Sequence, residues 1–213
     1  MIALEKISLH QDVFFLFILN AFLLISILKA FYWKYTKLLI MGVFSERYTN
    51  QYLREENVFT ERVGVITFLL LLLNLSLFVT RLNGKIKLDF FLWTILFIAA
   101  YYLIKYMLIR LLGIVFLLKN IAQLGVFFSF LFDKVLAIFI FPLIVVLHYS
   151  KMQITTELLV VCNVLILIFL ALKIFWMWRI ATNTFGLTPL YIFLYLCILE
   201  IFPLLVLGKG VVY

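Results

Sequence analysis

The sequence predicts an all-α protein, a polytopic transmembrane helical bundle of about six spans with an interfacial segment after the first span. Of its 213 residues, 67% are apolar and 13% are charged, against about 45–50% and about 25% in soluble domains. Runs such as ITFLLLLLNLSLF are apolar on all faces, whereas strands of a membrane barrel alternate in polarity. We therefore expect residues 1–213 to form a single integral membrane domain.

Six apolar segments are long enough to cross a bilayer, which requires about 20 residues for each helix. The first, 13–33, ends in FYWKYTK, an aromatic and basic sequence typical of the headgroup level. The others are 63–80, 88–108, a fourth centred on VLAIFIFPLIVVLHY that begins as early as residue 121, then 157–178 and 188–207. A seventh span remains open.

Two regions depart from a simple series of helical hairpins. Residues 34–62 join an apolar half, LLIMGVF, to a charged half, and we interpret them as an interfacial segment leading into an amphipathic or irregular loop. A solvated loop without a special role is the alternative. Residues 109–134 mix glycines and polar residues with Leu and Phe, which is consistent with an interfacial elbow, a broken helix or a long tilted helix.

The net charge of +8 is distributed among short loops rather than in one basic run. Nucleic acid is therefore not an expected partner, and the lipid bilayer is. Lys and Arg favour the cytoplasmic side, and they favour an outside N-terminus by seven residues to six. The N-terminal sequence shows no cleavable signal peptide.

The stretch YYLIKYMLIRLLG, 101–113, places two cations inside an apolar segment. At about 100° per residue, one half of the helix carries Tyr101, Tyr102, Lys105, Tyr106, Ile109, Arg110 and Gly113. Because a cation at the centre of a bilayer costs about 2.5–3.5 kcal/mol on insertion scales, this face is expected to turn toward the bundle interior or water. The alternative is that Lys105 and Arg110 extend to an interface near the end of the span.

Three further charged residues are candidate partners for these cations. Glu200 lies near the middle of the sixth segment, three residues before Pro203, and Asp133 and Lys173 lie in or near the fourth and fifth segments. Together they predict a polar intramembrane site or a partner contact that could relay protons or hold an ion. In the alternative interpretation, Glu200 is neutral or hydrogen-bonded to another helix, and Asp133 marks a helix end at the membrane surface.

Motifs for other chemistry are missing from the sequence. It has two histidines, His10 and His148, no phosphate-binding or dinucleotide-binding glycine motif and no GxSxG. We expect no metal, no cofactor and no catalytic residues. Cys162 and Cys197 both lie in apolar runs, as buried small side chains do.

A resemblance extends over almost the whole chain. Lys105, the run 110–116 (RLLGIVF), the upstream FSERYTNQY and the helix around Pro142 resemble an uncharacterised family of small polytopic inner-membrane proteins of Bacteroidota. The resemblance implies an inner-membrane location and a role in an envelope machine, of which the type IX secretion and gliding apparatus is an example. It implies no activity.

Three functions are compatible with these observations. The favoured one is a non-enzymatic inner-membrane subunit that docks with other membrane proteins through the interfacial segment and the polar face. The second is a small ion-coupled transporter with Glu200 as the titrating group. The third is a lipid-modifying membrane enzyme, which would need a lipid-sized groove with at least two convergent polar side chains.

Overall fold

The fold consists of α-helices in every part of the chain that the structure describes. A computed structural model describes residues 2–55, 57–83, 87–115, 119–150 and 152–185. The helices are α1 (Ile2–Phe31), α2 (Trp33–Phe44), α3 (Glu46–Arg54), α4 (Val58–Leu82), α5 (Leu88–Val115), α6 (Lys119–Tyr149) and α7 (Met152–Phe185). These ranges contain no strand, which confirms the predicted all-α class.

Five of these helices are long and apolar enough to cross a membrane. Their spanning segments are Phe14–Phe31, Val58–Leu82, Leu88–Leu111, Gly125–Tyr149 and Glu157–Arg179. They correspond to the first five predicted segments, so the protein is a multi-pass membrane protein. The sixth predicted segment, 188–207, lies outside the described residues.

The bundle is built around α4 and α6, which pack against each other and against α5. Half of the α4 spanning segment and 44% of the α6 segment are buried, compared with 28% for α5. Successive spans run in opposite directions, so α4 and α6 are parallel. The fifth span, in α7, packs on α6 and has 11% of its segment buried by the described part of the chain.

Two apolar clusters mark the two ends of the bundle. One contains Leu39 of α2, Val63 at the start of α4 and Phe132 of α6. The other contains Phe14 of α1 and Ile144 near the end of α6. We call the first the hairpin end, because it also carries α2 and α3, and the second the opposite end.

The segment predicted to be interfacial forms a helical hairpin, α2–α3, rather than a loop. Its two helices meet at Ser45, where the hydroxyl of Thr49 donates to the carbonyl oxygen of Gly42 over 2.8 Å. A Cβ atom added to Gly42 would lie 3.2 Å from the Thr49 Oγ1 atom. Glycine therefore allows the two helices to approach closely at this turn.

The connection from α3 to α4 is fixed by helix capping. The Asn57 side chain accepts hydrogen bonds from the backbone N–H groups of Phe59 and Thr60, and the Thr60 hydroxyl accepts one from the Asn57 N–H. This reciprocal arrangement satisfies N–H groups that would otherwise have no partner at a helix start. As a result, α4 begins at a defined point directly after the hairpin.

Candidate functional site

An ion cluster joins three helices inside the bundle. The Lys173 Nζ atom of α7 lies 3.0 Å and 2.9 Å from the two carboxylate oxygens of Asp133 in α6. The Lys105 Nζ atom of α5 lies 3.9 Å from Asp133 Oδ2. Both lysines are 2% exposed. The tight contact of Lys173 makes it the main partner of the carboxylate, with Lys105 at a greater distance.

The cluster lies within the depth of the apolar segments. At about 1.5 Å per residue, Asp133 is about 12 Å from the Gly125 end of its spanning segment, and Lys173 is about 9 Å from the Arg179 end of its own. The Lys105 ammonium is 6.0 Å from the ring centres of Tyr101 and Phe130, where the electron-rich faces favour a cation. The cluster therefore belongs to the half of the membrane nearer the hairpin end.

A fourth charged side chain reaches a neighbouring helix. The Lys134 Nζ atom lies 3.3 Å from the point that a Cβ atom on Gly64 would occupy. Asp133 thus contacts lysines of α5 and α7, whereas the side chain of the next residue, Lys134, extends to α4. The absence of a side chain at Gly64 makes room for that ammonium, which the sequence analysis did not anticipate.

The structure divides the residues that were predicted as one site. Lys105, Asp133 and Lys173 come together, and Tyr102, which is buried, packs against Phe130 with ring centres 5.6 Å apart. Tyr106 and Arg110 lie on the outer surface, where the guanidinium carbon is 4.9 Å from the centre of the Tyr106 ring. The remaining candidate, Glu200, lies outside the described residues.

Two of the alternative interpretations require correction. Asp133 is not at a helix end, because α6 continues on both sides of it from Lys119 to Tyr149. Lys105 does not extend to an interface, since its ammonium is directed toward Asp133 and its side chain is buried. Arg110 does have the exposed position expected of a side chain that reaches the headgroups.

A polar surface on α3 forms the second candidate site. Arg47, Asn50, Gln51 and Arg54 line an open groove on this helix, and all four are exposed. We call it the α3 groove. Two guanidinium groups and two amides supply hydrogen-bond donors and positive charge, which suit a carboxylate or phosphate group on a partner.

The hairpin is tied to the bundle on both sides of the α3 groove. The Tyr52 hydroxyl donates to the Thr60 carbonyl oxygen over 3.1 Å, and Lys34 pairs with Glu55 at 3.0 Å. Hydrogen bonding from Gln51, followed by that from Lys34, lowers the pKa of Glu55 below its ordinary value. Hydrogen bonding to Glu55 raises the pKa of Lys34 above its ordinary value.

Other buried polar groups were missed by the sequence analysis. Asn74 of α4 donates to the carbonyl oxygen of Ala137 over 2.7 Å, and its isolated position in LLLLLNLSLF was the available signal. At the opposite end, the buried Arg81 Nε atom and both ring nitrogens of His148 have no hydrogen-bond partner among the described residues. His148 packs against Phe14, with ring centres 5.5 Å apart.

The described residues contain no group of three or more His, Cys, Asp or Glu side chains placed to hold a metal ion. Cys162 is a buried free thiol on α7, and Cys197 lies outside the described residues. In the described part of the chain, the ion cluster can hold helices together, exchange a proton or bind an ion, and the α3 groove can bind a partner of opposite charge.

A protein family described as Domain of unknown function (DUF4271) matches residues 13–211. The chain belongs to this family. The match covers the five described spans together with the sixth predicted segment, and the family description assigns no activity. No curated protein and no solved structure matches the chain.

Proposed function

We propose that this DUF4271 protein is a non-enzymatic inner-membrane subunit that docks with another membrane protein through the α3 groove. One observation carries the proposal: the polar helix α3 is held at the end of an otherwise apolar bundle, and the charged face of α3 is exposed. Membrane-embedded helices need no such surface to contact lipid chains. A fixed polar surface is instead suited to a protein partner with complementary charge.

Rigidity of the hairpin supports this proposal. The Thr49–Gly42 hydrogen bond closes the turn, and the Tyr52–Thr60 hydrogen bond joins α3 to the first turn of α4. The Tyr52 ring also lies 5.7 Å from the Phe127 ring of α6, between ring centres. A surface held in place before binding loses less conformational entropy when the partner arrives.

The charge of the α3 groove supports an acidic partner surface. Glu55, next to the groove, is engaged by both Lys34 and Gln51. Arg47 and Arg54 are seven residues apart, which places them about 10 Å from each other along the helix. Following the family resemblance, we assign the partner to an envelope machine of the bacterial inner membrane, such as a secretion or gliding apparatus.

The test is a native purification in mild detergent of the tagged protein and of its Arg47→Glu/Arg54→Glu variant. We expect a stoichiometric partner to accompany the unmodified protein and to be lost from the variant, because two attractive charges become repulsive. Lys37→Glu is the matched control, since Lys37 is an exposed cation of α2 outside the groove. It should retain the partner.

Two outcomes would contradict this function. One is that no protein accompanies the chain at a fixed ratio. The other is that the groove variant keeps its partner with unchanged affinity while hydrogen exchange shows an intact hairpin. Loss of the partner from both charge variants would indicate a general electrostatic effect rather than docking at the α3 groove.

Ion-coupled transport is the second candidate, favoured by one observation, the carboxylate of Asp133 held by lysines of two other helices. Ionisable residues at this depth commonly belong to ion or proton pathways. In this case the Asp133 carboxylate would take part in binding the transported ion. Asp133→Asn would then abolish ion uptake by proteoliposomes, whereas Asp133→Glu, which keeps the charge, would retain part of it.

A further inference from the structure

An exposed group of aromatic rings surrounds the junction of α1, α2 and α4. Phe31 is 77% exposed, Trp33 is 51% exposed and Phe59 is 48% exposed. The Tyr32 ring lies beside two of them, with its centre 6.5 Å from that of Phe31 and 6.3 Å from that of Phe59. We call this group the aromatic junction. These rings are apolar, and they are too exposed to be part of the bundle core.

A cation is positioned beside these rings. The Arg62 Nη1 atom donates to the Tyr32 hydroxyl over 3.5 Å, so the guanidinium lies at the polar edge of the aromatic junction. Arg62 itself is exposed. The nearby Lys34 is engaged by Glu55, and the exposed Glu61 precedes Arg62 in the first turns of α4. Arg62 therefore has donors available for a ligand.

The aromatic junction lies where the apolar segments end. Phe31 closes the spanning segment Phe14–Phe31, and Phe59 is the second residue of Val58–Leu82. Aromatic side chains at the end of a span lie at the level of the lipid headgroups. Tyr and Trp suit this level because their rings are apolar and each carries one polar group. The rings are then level with the glycerol region. Arg62 lies three residues further into α4 than Phe59, and its long side chain extends back toward the start of the helix to reach the phosphates.

We propose that the aromatic junction binds an anionic phospholipid, with Arg62 contacting the headgroup phosphate and the exposed rings contacting the upper part of the acyl chains. A planar guanidinium can donate two hydrogen bonds to one phosphate. Tyr32 acts as the positioning residue, since its hydroxyl holds the guanidinium and its ring packs on Phe59. The site offers a cation and an apolar surface side by side. An anionic lipid matches both with its phosphate and its acyl chains, whereas a soluble anion matches only the cation.

The test uses the full chain in bilayers of phosphatidylcholine that contain spin-labelled phosphatidylglycerol or spin-labelled phosphatidylcholine. We expect the anionic lipid to be retained at the protein surface in preference to the zwitterionic one. Arg62→Gln should lower the association constant of phosphatidylglycerol about fivefold, the effect expected for one basic residue at a membrane surface. Tyr32→Phe, which keeps the ring and removes the hydroxyl, should give a smaller decrease.

Arg110→Gln is the matched control, because it removes one exposed positive charge at the same end of the bundle from α5, which is not part of the junction, and it should leave the preference unchanged. Equal retention of both lipids by the unmodified protein would overturn the proposal, as would equal losses in Arg62→Gln and Arg110→Gln. Displacement of the lipid by millimolar glycerol phosphate, or by an acidic peptide, would assign the site to a soluble anion or to a protein instead.

Discussion

Asp133 forms an ion pair inside the bundle, with lysines of two other helices. These contacts explain how the apolar interior accommodates a carboxylate. The Lys173 ammonium donates to both carboxylate oxygens of Asp133 over about 3 Å. These two charge-assisted hydrogen bonds replace the water that both groups would bind in the unfolded chain. Such a pair can contribute little net stability compared with apolar packing. Removing one partner is costly, however, because the other charge stays buried.

At the scale of a single residue we therefore expect Asp133→Asn to destabilise the protein by about 3–5 kcal/mol, the usual cost of breaking a buried pair. The measurement is the midpoint of thermal unfolding in detergent. Glu55→Gln is the matched control, since it neutralises one carboxylate of an ion pair at the protein surface, and it should shift the midpoint far less. Equal shifts would show that Asp133 and Lys173 are not buried together.

The sequence identified some of these residues and missed others for a physical reason. Lys105 and Asp133 stood out because an ionised side chain in an apolar segment requires a partner. Which partner it has depends on the rotation and height of each helix, and those follow from packing across α5, α6 and α7. Gly64 could not be connected with Lys134 from sequence, because that contact depends on the close approach of α4 and α6.

The α2–α3 hairpin illustrates the same limit at the scale of an element. The apolar half and the charged half of residues 34–62 predicted an interfacial segment, and its position relative to the bilayer stays a prediction. The compact pair of helices depends instead on individual contacts, such as Gly42 with Thr49 and Tyr52 with Thr60. These are short-range contacts between residues of ordinary types, so they leave no pattern in the sequence.

The ion pair that closes the base of the hairpin predicts a dependence on pH. The lowered pKa of Glu55 means that the folded state favours the carboxylate, so its contribution is complete above the ordinary glutamate pKa of about 4.3. It is lost as the pH falls through the lower pKa of the folded state. We expect backbone amides of α3 to exchange faster relative to those of α4 under such acidic conditions, after correction for intrinsic exchange rates.

The Glu55→Gln variant controls this prediction. Without the carboxylate, the relative exchange of α3 and α4 should no longer change over that acidic range. The raised pKa of Lys34 means that its contribution to the pair is lost only as the pH rises through that pKa, on the alkaline side. A decrease in α3 stability between neutral pH and the ordinary glutamate pKa would contradict this assignment.

At the scale of the whole molecule, the structure adds two cations to the hairpin end. Lys29, near the end of α1, and Arg110, near the end of α5, lie at the same end as Lys34, Lys37, Arg47, Arg54, Arg62 and Arg179. Arg81 and Lys87 lie toward the opposite end, and three other cations that the sequence count assigned to that side, Lys85, Lys151 and Lys209, lie outside the described residues. Added to the sequence count of seven to six, Lys29 and Arg110 raise the number for the hairpin end to nine.

Because cations near the ends of spans favour the cytoplasmic side, we expect the hairpin end to face the cytoplasm. In a background with Cys162 and Cys197 replaced by alanine, a cysteine introduced at Gln51 should react with a membrane-impermeant maleimide in inside-out vesicles and not in intact cells. Asp89→Cys, near the start of α5, should show the reverse labelling, and it removes an acid, which has little influence on orientation. Labelling of Gln51→Cys from outside intact cells would invert this topology and would place the α3 groove and Arg62 on the external face of the membrane.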